Sequence, residues 1–191
     1  MHEARSALMR GGPLRAPKMG RMTSFSIRRA RTPDVAGIRK LVKPLADDRV
    51  LLEKEAVAYY ENLQEFFVAE AHDGGIVGCG ALHVMWEDIA EVRTLATSGA
   101  WRGRGVGKAL LDRLMEEARD IGVGRVFCLT FEVDFFRRNG FAVMADQSVV
   151  DPTVYSELLR STDEGVAEFL DLARVKPNTL GNTRMIAVLP S

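Results

Sequence analysis

The chain has 191 residues, 47% of them apolar, and its 26 Lys and Arg residues balance its 26 Asp and Glu residues. This length and apolar content predict one folded domain with a substantial core, and the even charge argues against a nucleic-acid-binding protein, which usually carries a basic excess. Two cysteines exclude a disulfide framework and three histidines argue against a zinc cluster, so the composition favours a cytoplasmic protein without a metal.

The first patterned segment of the chain begins after residue 24. Residues 1–24 are rich in Arg, Gly and Pro and lack the apolar stretch of a secretory signal. We therefore predict a disordered extension over 1–24 and a single domain over 25–191. No run approaches the ~20 apolar residues that span a membrane, so no membrane partner is predicted.

The spacing of apolar residues predicts alternating strands and helices beyond residue 24. In chain order these are a strand (25–30), two helices (32–45, 51–63), three strands (65–72, 76–85, 89–98), a helix (106–122), a strand (124–131), three helices (133–141, 151–161, 162–173) and a closing strand (183–190). Thr32 is the predicted N-cap of the first helix and Pro44 its predicted end. The order predicts an α/β fold around a largely antiparallel sheet, with one strand–loop–helix unit.

Segment 102–107 reads RGRGVG and leads directly into a helix. It does not fit a Walker P-loop, because Gly107-Lys108 is followed by Ala109, and it does not fit the dinucleotide fingerprint, whose third glycine position is Lys108. Glycines nevertheless let a backbone approach a phosphate, and a helix N-terminus presents unpaired N–H groups and a positive dipole end. We predict a pyrophosphate-binding loop of a third kind; the alternative is a solvated turn that caps a surface helix.

The strand EVRTLATS, the loop RGRGVG, the helix after it and the segment FFRRNGF together resemble the GNAT family of N-acetyltransferases. The family motif R/Q-x-x-G-x-G/A is met by Arg102, Gly105 and Gly107. The resemblance implies a GNAT fold, with a mixed and mostly antiparallel sheet flanked by helices. It further implies that the strand before the loop splays from the strand at 124–131, and that acetyl-CoA is the cosubstrate.

The resemblance also implies which backbone segments hold acetyl-CoA. Loop amides from Gly103 to Lys108 would hold the pyrophosphate, and N–H groups near Leu95 and Thr97 would bind the acetyl carbonyl and the pantetheine. Donors to that carbonyl stabilise the oxyanion that forms during acyl transfer. The full set of implied cofactor residues is Leu95, Ala96, Thr97, Arg102, Gly103, Arg104, Gly105, Val106, Gly107 and Lys108.

A closer resemblance is to the acetyltransferase domain of N-acetylglutamate synthases, on the segments IRRARTPDVAGIRKLVKPL, EVRTLATSGAWRGRGVG and VFCLTFEVDFFRRNGF. It implies that Glu91 accepts the proton of the acceptor ammonium through water, because a nucleophilic amine must be neutral. It also implies that the Thr130 hydroxyl protonates the departing thiolate. A solvent-facing acid at a strand edge and a structural buried threonine are the respective alternatives.

Three basic residues are candidates for binding the acceptor carboxylate. Lys54 matches a basic position of the synthases, and Arg184 in the closing strand can grip a carboxylate with two parallel hydrogen bonds. Arg93 alternates with the candidate base on one strand face. Glu53 and Glu55 replace the Arg and Ser of the synthases, which weakens the case for glutamate and suits glutamine better. Basic residues that only face solvent are the alternative.

Together with these residues, the resemblance implies acetyl-CoA-dependent N-acetylation of the α-amino group of free glutamate or glutamine, as the first step of arginine biosynthesis. A peptide or protein N-terminal acetyltransferase and a non-catalytic acetyl-CoA-binding module are the alternatives. His72 and His83 are interpreted as structural. A homodimer is the default expectation among soluble oligomers, and no nucleic acid or metal is predicted to bind.

Overall fold

The computed structural model describes residues 25–51, 54–144, 151–170, 172 and 181–190. Its strands are β1 (Phe25–Arg29), β2 (Phe66–Ala71), β3 (Ile76–Trp86), β4 (Ile89–Thr97), β5 (Arg125–Thr130), β6 (Ala142–Val143) and β7 (Thr183–Val188). Its helices are α1 (Val35–Asp47), α2 (Ala56–Glu61), α3 (Val106–Asp120), α4 (Val133–Arg138), α5 (Pro152–Leu158) and α6 (Glu164–Phe169). The predicted extension over 1–24 lies outside the described residues.

The strands form one sheet in the order β1-β2-β3-β4-β5-β7-β6. Every neighbouring pair is antiparallel except β4 and β5, which run parallel because α3 carries the chain from one to the other. This confirms the predicted α/β fold with a mixed, mostly antiparallel sheet flanked by helices. None of the helices in the described ranges combines the length and apolar character that crossing a bilayer requires.

Each face of the sheet carries its own apolar layer. The buried side of α3, which includes Leu110 and Leu114, packs on one face. Helix α1 covers the β2–β4 half of the opposite face through Ile38 and its neighbours, and α6 covers the β5 half. The ring of Phe169 in α6 meets Phe127 of β5 edge-on, with 5.2 Å between ring centroids. The two helices α1 and α6 therefore leave a gap between them on this second face.

Both ends of α1 differ from the prediction. A 3-10 turn at Thr32–Asp34 precedes the helix, and the Arg31 N–H donates to the Asp34 carboxylate at 2.7 Å, so Thr32 is not the N-cap. The prediction that Pro44 ends the helix was wrong, since α1 continues to Asp47. Pro44 lies in the last turn, where its missing N–H costs one bond while its carbonyl still accepts from the Asp48 N–H at 3.1 Å.

Candidate active site

The main cavity opens where β4 and β5 separate. The two strands pair only from Ile89 to Glu91, opposite Arg125–Phe127. Beyond Glu91 they diverge, which confirms the predicted splay. The gap leads into a cavity of about 1290 Å³, whose walls include the second half of β4 and Thr130 at the end of β5.

A β-bulge shapes the β4 wall of this cavity. The register with β3 shifts between Cys79, which pairs with Ala96, and Ala81, which pairs with Arg93. Thr94 sits in the bulge with a φ of 56°, a left-handed conformation that costs a β-branched residue about 1–3 kcal/mol. Because the bulge breaks the strict alternation of the strand, all residues from 92 to 97 contribute to the cavity wall.

The glycine loop lies at the end of the cavity toward α3. Gly103 and Gly105 have φ values of 73° and 84°, which glycine adopts at little cost, and Gly105 is the N-cap of α3. Gly107 has no such backbone requirement, and a Cβ built on it would lie 3.5 Å from its nearest neighbour, Thr97 Oγ1. The protein's own packing therefore does not require a glycine at position 107. The missing side chain keeps the first N–H groups of α3 accessible from the cavity.

The predicted cofactor residues form a continuous wall, with one exception. Arg104 is not among the side chains that line the cavity; its guanidinium stacks over Trp101, 5.0 Å from the ring centroid. Lys108 lines the cavity and pairs with Asp112 one turn later at 2.6 Å. The lining set is Leu95, Ala96, Thr97, Arg102, Gly103, Gly105, Val106, Gly107 and Lys108. Their cofactor role stays a prediction.

Glu91 marks the other end of the splayed gap and is held by an arginine. It is only 5% exposed, and its Oε2 accepts from Arg93 Nε at 3.0 Å and from Arg93 Nη2 at 2.6 Å. Arg93 turns its remaining donors to Asp163, just before α6, at 2.9 and 3.1 Å. Arg93 thus joins two carboxylates from distant parts of the chain, and these bonds engage four of its five N–H donors.

Helix α6 closes over this pair through a glycine. A Cβ built on Gly165 would lie 2.0 Å from Glu91 Oε2 and 2.7 Å from Arg93 Nη2. Only a glycine lets the backbone of α6 approach the Glu91 carboxylate this closely. Helix α6 therefore shields the Glu91 carboxylate.

Asp163 ties α6 to the sheet. Burial raises the pKa of Asp163, but hydrogen bonds and charge from Arg93 outweigh it and lower that pKa to about 2. A carboxyl group whose pKa is lowered by folding stabilises the folded state at a pH above its unfolded-state pKa. This contribution to stability is lost as the pH falls through the folded-state pKa.

We expect Asp163→Asn to lower the free energy of unfolding at neutral pH by on the order of 1 kcal/mol, since the pair is part-exposed and screened. The difference in the free energy of unfolding between wild type and variant should narrow as the pH falls from roughly 4 to about 2, because the lowered pKa of Asp163 sets this window. Urea unfolding followed by circular dichroism at each pH measures the free energy of unfolding of both proteins. A difference that stays constant down to pH 2 would contradict the stabilising pair of Asp163 with Arg93.

Lys54 contributes a cation to the same region of the cavity. It precedes α2 instead of lying in the predicted helix over 51–63, since α2 begins at Ala56 and ends at Glu61. Burial lowers the pKa of Lys54, and the charge of Arg93 adds to this effect. Within the described residues no carboxylate forms an ion pair with its ammonium group, although several stand close enough to act on its charge.

His83 lies on the cavity wall, although the sequence suggested only a structural role. It is the cross-strand partner of Glu91, and its Nδ1 lies 2.6 Å from Glu65 Oε1. The signal that could have found it is the hairpin register, because residues opposite each other in antiparallel strands share one face. His72, by contrast, is exposed in the β2–β3 turn.

The remaining two candidates differ in placement. Thr130 is buried, lines the cavity, and its Oγ1 accepts from the Glu132 N–H at 2.9 Å. Arg184 pairs with Leu129 on the same sheet face, but its Nη1 donates to the Phe169 carbonyl at 3.3 Å and it is not among the lining residues. In the described ranges no group of His, Cys, Asp and Glu side chains is arranged to hold a metal ion.

Comparison with known proteins decides the family. Residues 37–141 match the Acetyltransferase (GNAT) family. The chain belongs to the GNAT family. It is an acetyltransferase with the GNAT fold, and the splayed strands and the glycine loop are the family features that its sequence suggested.

Three similar proteins are informative. An amino-acid acetyltransferase of Mycobacterium tuberculosis is 53% identical over 165 residues, which are 85% of this GNAT chain and 94% of the relative. The crystal structure of a Mycobacterium tuberculosis protein in complex with CoA and NLQ has a TM-score of 0.83 at 53% identity, over 86% of this chain and 99% of that one. N-acetylglutamate synthase of Neisseria gonorrhoeae, complexed with coenzyme A and N-acetyl-glutamate, has a TM-score of 0.71 at 27% identity, over 87% of this chain but only 35% of the longer synthase.

Proposed function

We propose that the protein transfers the acetyl group of acetyl-CoA to the α-amino group of a free amino acid, glutamate or glutamine, as the first step of arginine biosynthesis. The observation that carries this proposal is that one cavity has the glycine loop at one end and the buried acid Glu91 at the other. The amino-acid acetyltransferase of Mycobacterium tuberculosis, 53% identical to this chain, supports the same activity.

The wall of β4 and the start of α3 suit acetyl-CoA. Gly107 lines the cavity without a side chain, which leaves room for a pyrophosphate beside the unpaired N–H groups of the first turn of α3. Acetyl-CoA supplies the activated acetyl group. Beyond the bulge β4 no longer pairs with β5, so this part of β4 can offer N–H groups to a ligand. We propose that those groups bind the acetyl carbonyl and stabilise the oxyanion.

Glu91 is proposed as the base that deprotonates the acceptor ammonium through water, and Thr130 as the hydroxyl that serves the departing thiolate. Glu91 lies on β4 and Thr130 on β5, and both residues line the cavity where these two strands diverge. Glu91 is covered by α6 and paired with Arg93. The acceptor nitrogen must therefore approach along the cavity and not through α6.

The charges near Glu91 favour an acceptor with one carboxylate. Three carboxylates, Glu65, Glu91 and Asp163, face two cations, Lys54 and Arg93. The excess of negative charge attracts the ammonium group of an acceptor, and Lys54 provides a cation that can bind its α-carboxylate. A second acidic side chain would meet these three carboxylates and find four of the five Arg93 donors engaged, so we propose that glutamine is preferred to glutamate.

The decisive experiment measures thiol release from acetyl-CoA against the free amino acids and a few short peptides. We expect turnover with glutamine and glutamate, and Lys54→Met should raise the KM for the amino acid about 10- to 100-fold, since hydrogen bonds to charged groups are worth about 1.5–3 kcal/mol. Lys40→Met, on the exposed side of α1, is the matched control. Activity on peptides alone would favour the N-terminal acetyltransferase, and binding without turnover would favour the non-catalytic module.

A further inference from the structure

His83 and Glu65 form a pair that the proposed reaction has not yet used. Glu65 follows α2 in a short 3-10 turn, and His83 lies in the middle of β3. Their side chains meet at 2.6 Å between Oε1 and Nδ1, and both are about one-fifth exposed. A carboxylate that accepts from Nδ1–H fixes the neutral imidazole with its lone pair on Nε2.

Carboxylates stand near both nitrogens of the His83 ring. Glu65 Oε2 is buried and has no hydrogen-bond partner within the described residues, so its negative charge is only partly compensated. Asp163 Oδ2 lies 3.9 Å from His83 Nε2, on the opposite side of the ring from Glu65. The charged groups that surround the ring are Lys54, Glu65, Glu91, Arg93 and Asp163. Negative charges outnumber positive ones in this set.

Proton balance requires more than one acceptor in the acetyl transfer proposed above. The acceptor enters as R–NH3⁺ and leaves as the amide R–NH–CO–CH3, so its nitrogen forms one bond to carbon and gives up two protons. The C–S bond of the thioester breaks, and the thiolate takes one of these two protons, so the other must end in solvent. Glu91 is proposed to take the first proton and to pass it through water and the Thr130 hydroxyl to the thiolate, which leaves Glu91 and Thr130 as they began. The second proton leaves the nitrogen after the N–C bond forms and needs an acceptor of its own.

We propose that His83, oriented by Glu65, is the second proton acceptor of the reaction. This inference rests on the proposed function. The ring lies beside Glu91 on the adjoining strand and on the wall of the same cavity, so one bound nitrogen can reach both groups or a shared water. Its partial exposure lets the imidazolium return the proton to solvent before the next turnover.

His83→Asn is the test variant, because the Asn amide nitrogen takes the place of Nδ1 and still donates to Glu65. We expect kcat to fall about 100-fold, at the low end of general acid–base effects, with unchanged KM for acetyl-CoA. The rate of the variant should keep rising with pH through the range where the wild type levels off, because water or hydroxide then takes the proton. His72→Asn, exposed in the β2–β3 turn, is the matched control and should behave as wild type.

A second variant separates proton transfer from packing. His83→Ala leaves space on the cavity wall, and added imidazole is expected to restore at least a tenth of the lost rate, with methylated imidazoles following their basicity. A kcat for His83→Asn within twofold of wild type, or a loss that neither pH nor imidazole changes, would overturn the role of His83. Wild-type protein without turnover on any free amino acid would instead overturn the proposed function itself.

Discussion

Glu91→Gln is expected to lower kcat by roughly 10²- to 10⁴-fold, the range of general base catalysis, while the affinity for acetyl-CoA stays the same. The glutamine amide keeps the size of the carboxylate and can still accept from Arg93 through its oxygen, so the fold should persist. What it loses is the negative charge that takes the proton of the acceptor ammonium.

Thiol release at saturating amino acid measures this loss, and calorimetric titration with acetyl-CoA measures the affinity. Glu87→Gln is the matched control, because Glu87 is an exposed acid in the turn between β3 and β4. If Glu91→Gln retained more than a tenth of the wild-type kcat, Glu91 would not be the base, and a purely structural pairing with Arg93 would explain its burial.

The second large effect is expected at the glycine loop. Gly107→Val should raise the KM for acetyl-CoA about 10- to 100-fold, since each hydrogen bond to a charged group is worth about 1.5–3 kcal/mol. The branched side chain would stand in front of the first N–H groups of α3, where the pyrophosphate is proposed to bind. The melting temperature should not fall, because valine is a better helix residue than glycine and nothing lies closer than 3.5 Å to the new Cβ.

Gly99→Val is the control for this variant. Gly99 lies in the exposed turn before the loop, and a Cβ there meets nothing within 4 Å. Steady-state kinetics with varied acetyl-CoA distinguish the two variants. An unchanged KM in Gly107→Val would place the pyrophosphate elsewhere, and a joint loss of melting temperature and activity would mean that position 107 serves the fold.

The sequence predicted those parts of the site that depend on residues close together in the chain. The loop at 102–107 was recognisable because its glycines and the helix after it are adjacent in the chain, and Gly103 and Gly105 indeed adopt left-handed conformations. The splay of β4 from β5 followed from the family resemblance and is seen in the ladder that stops at Glu91. Alternation on β4 likewise placed Arg93 on the same face as Glu91, where the two pair.

The parts that the sequence did not predict depend on contacts between distant segments. Asp163 is 70 residues from Arg93, and no local pattern indicates that α6 would lie on Glu91 or that Gly165 would be needed for it. The same holds for the bond from Arg184 to the end of α6, which leaves Arg184 off the cavity wall. Pro44 inside α1 shows that a strong local signal can also mislead when it falls in the last turn of a helix.

The short ladder between β4 and β5 has a mechanical consequence. Three residue pairs, from Ile89 to Glu91, are all that join the panel β1–β4 to the panel formed by β5, β7 and β6 through strand pairing. If one panel rotated slightly against the other about this ladder, the loop end of the gap would move most and the ladder itself least. Because Glu91 stands at this ladder, such a rotation would change the width of the opening without moving the acid.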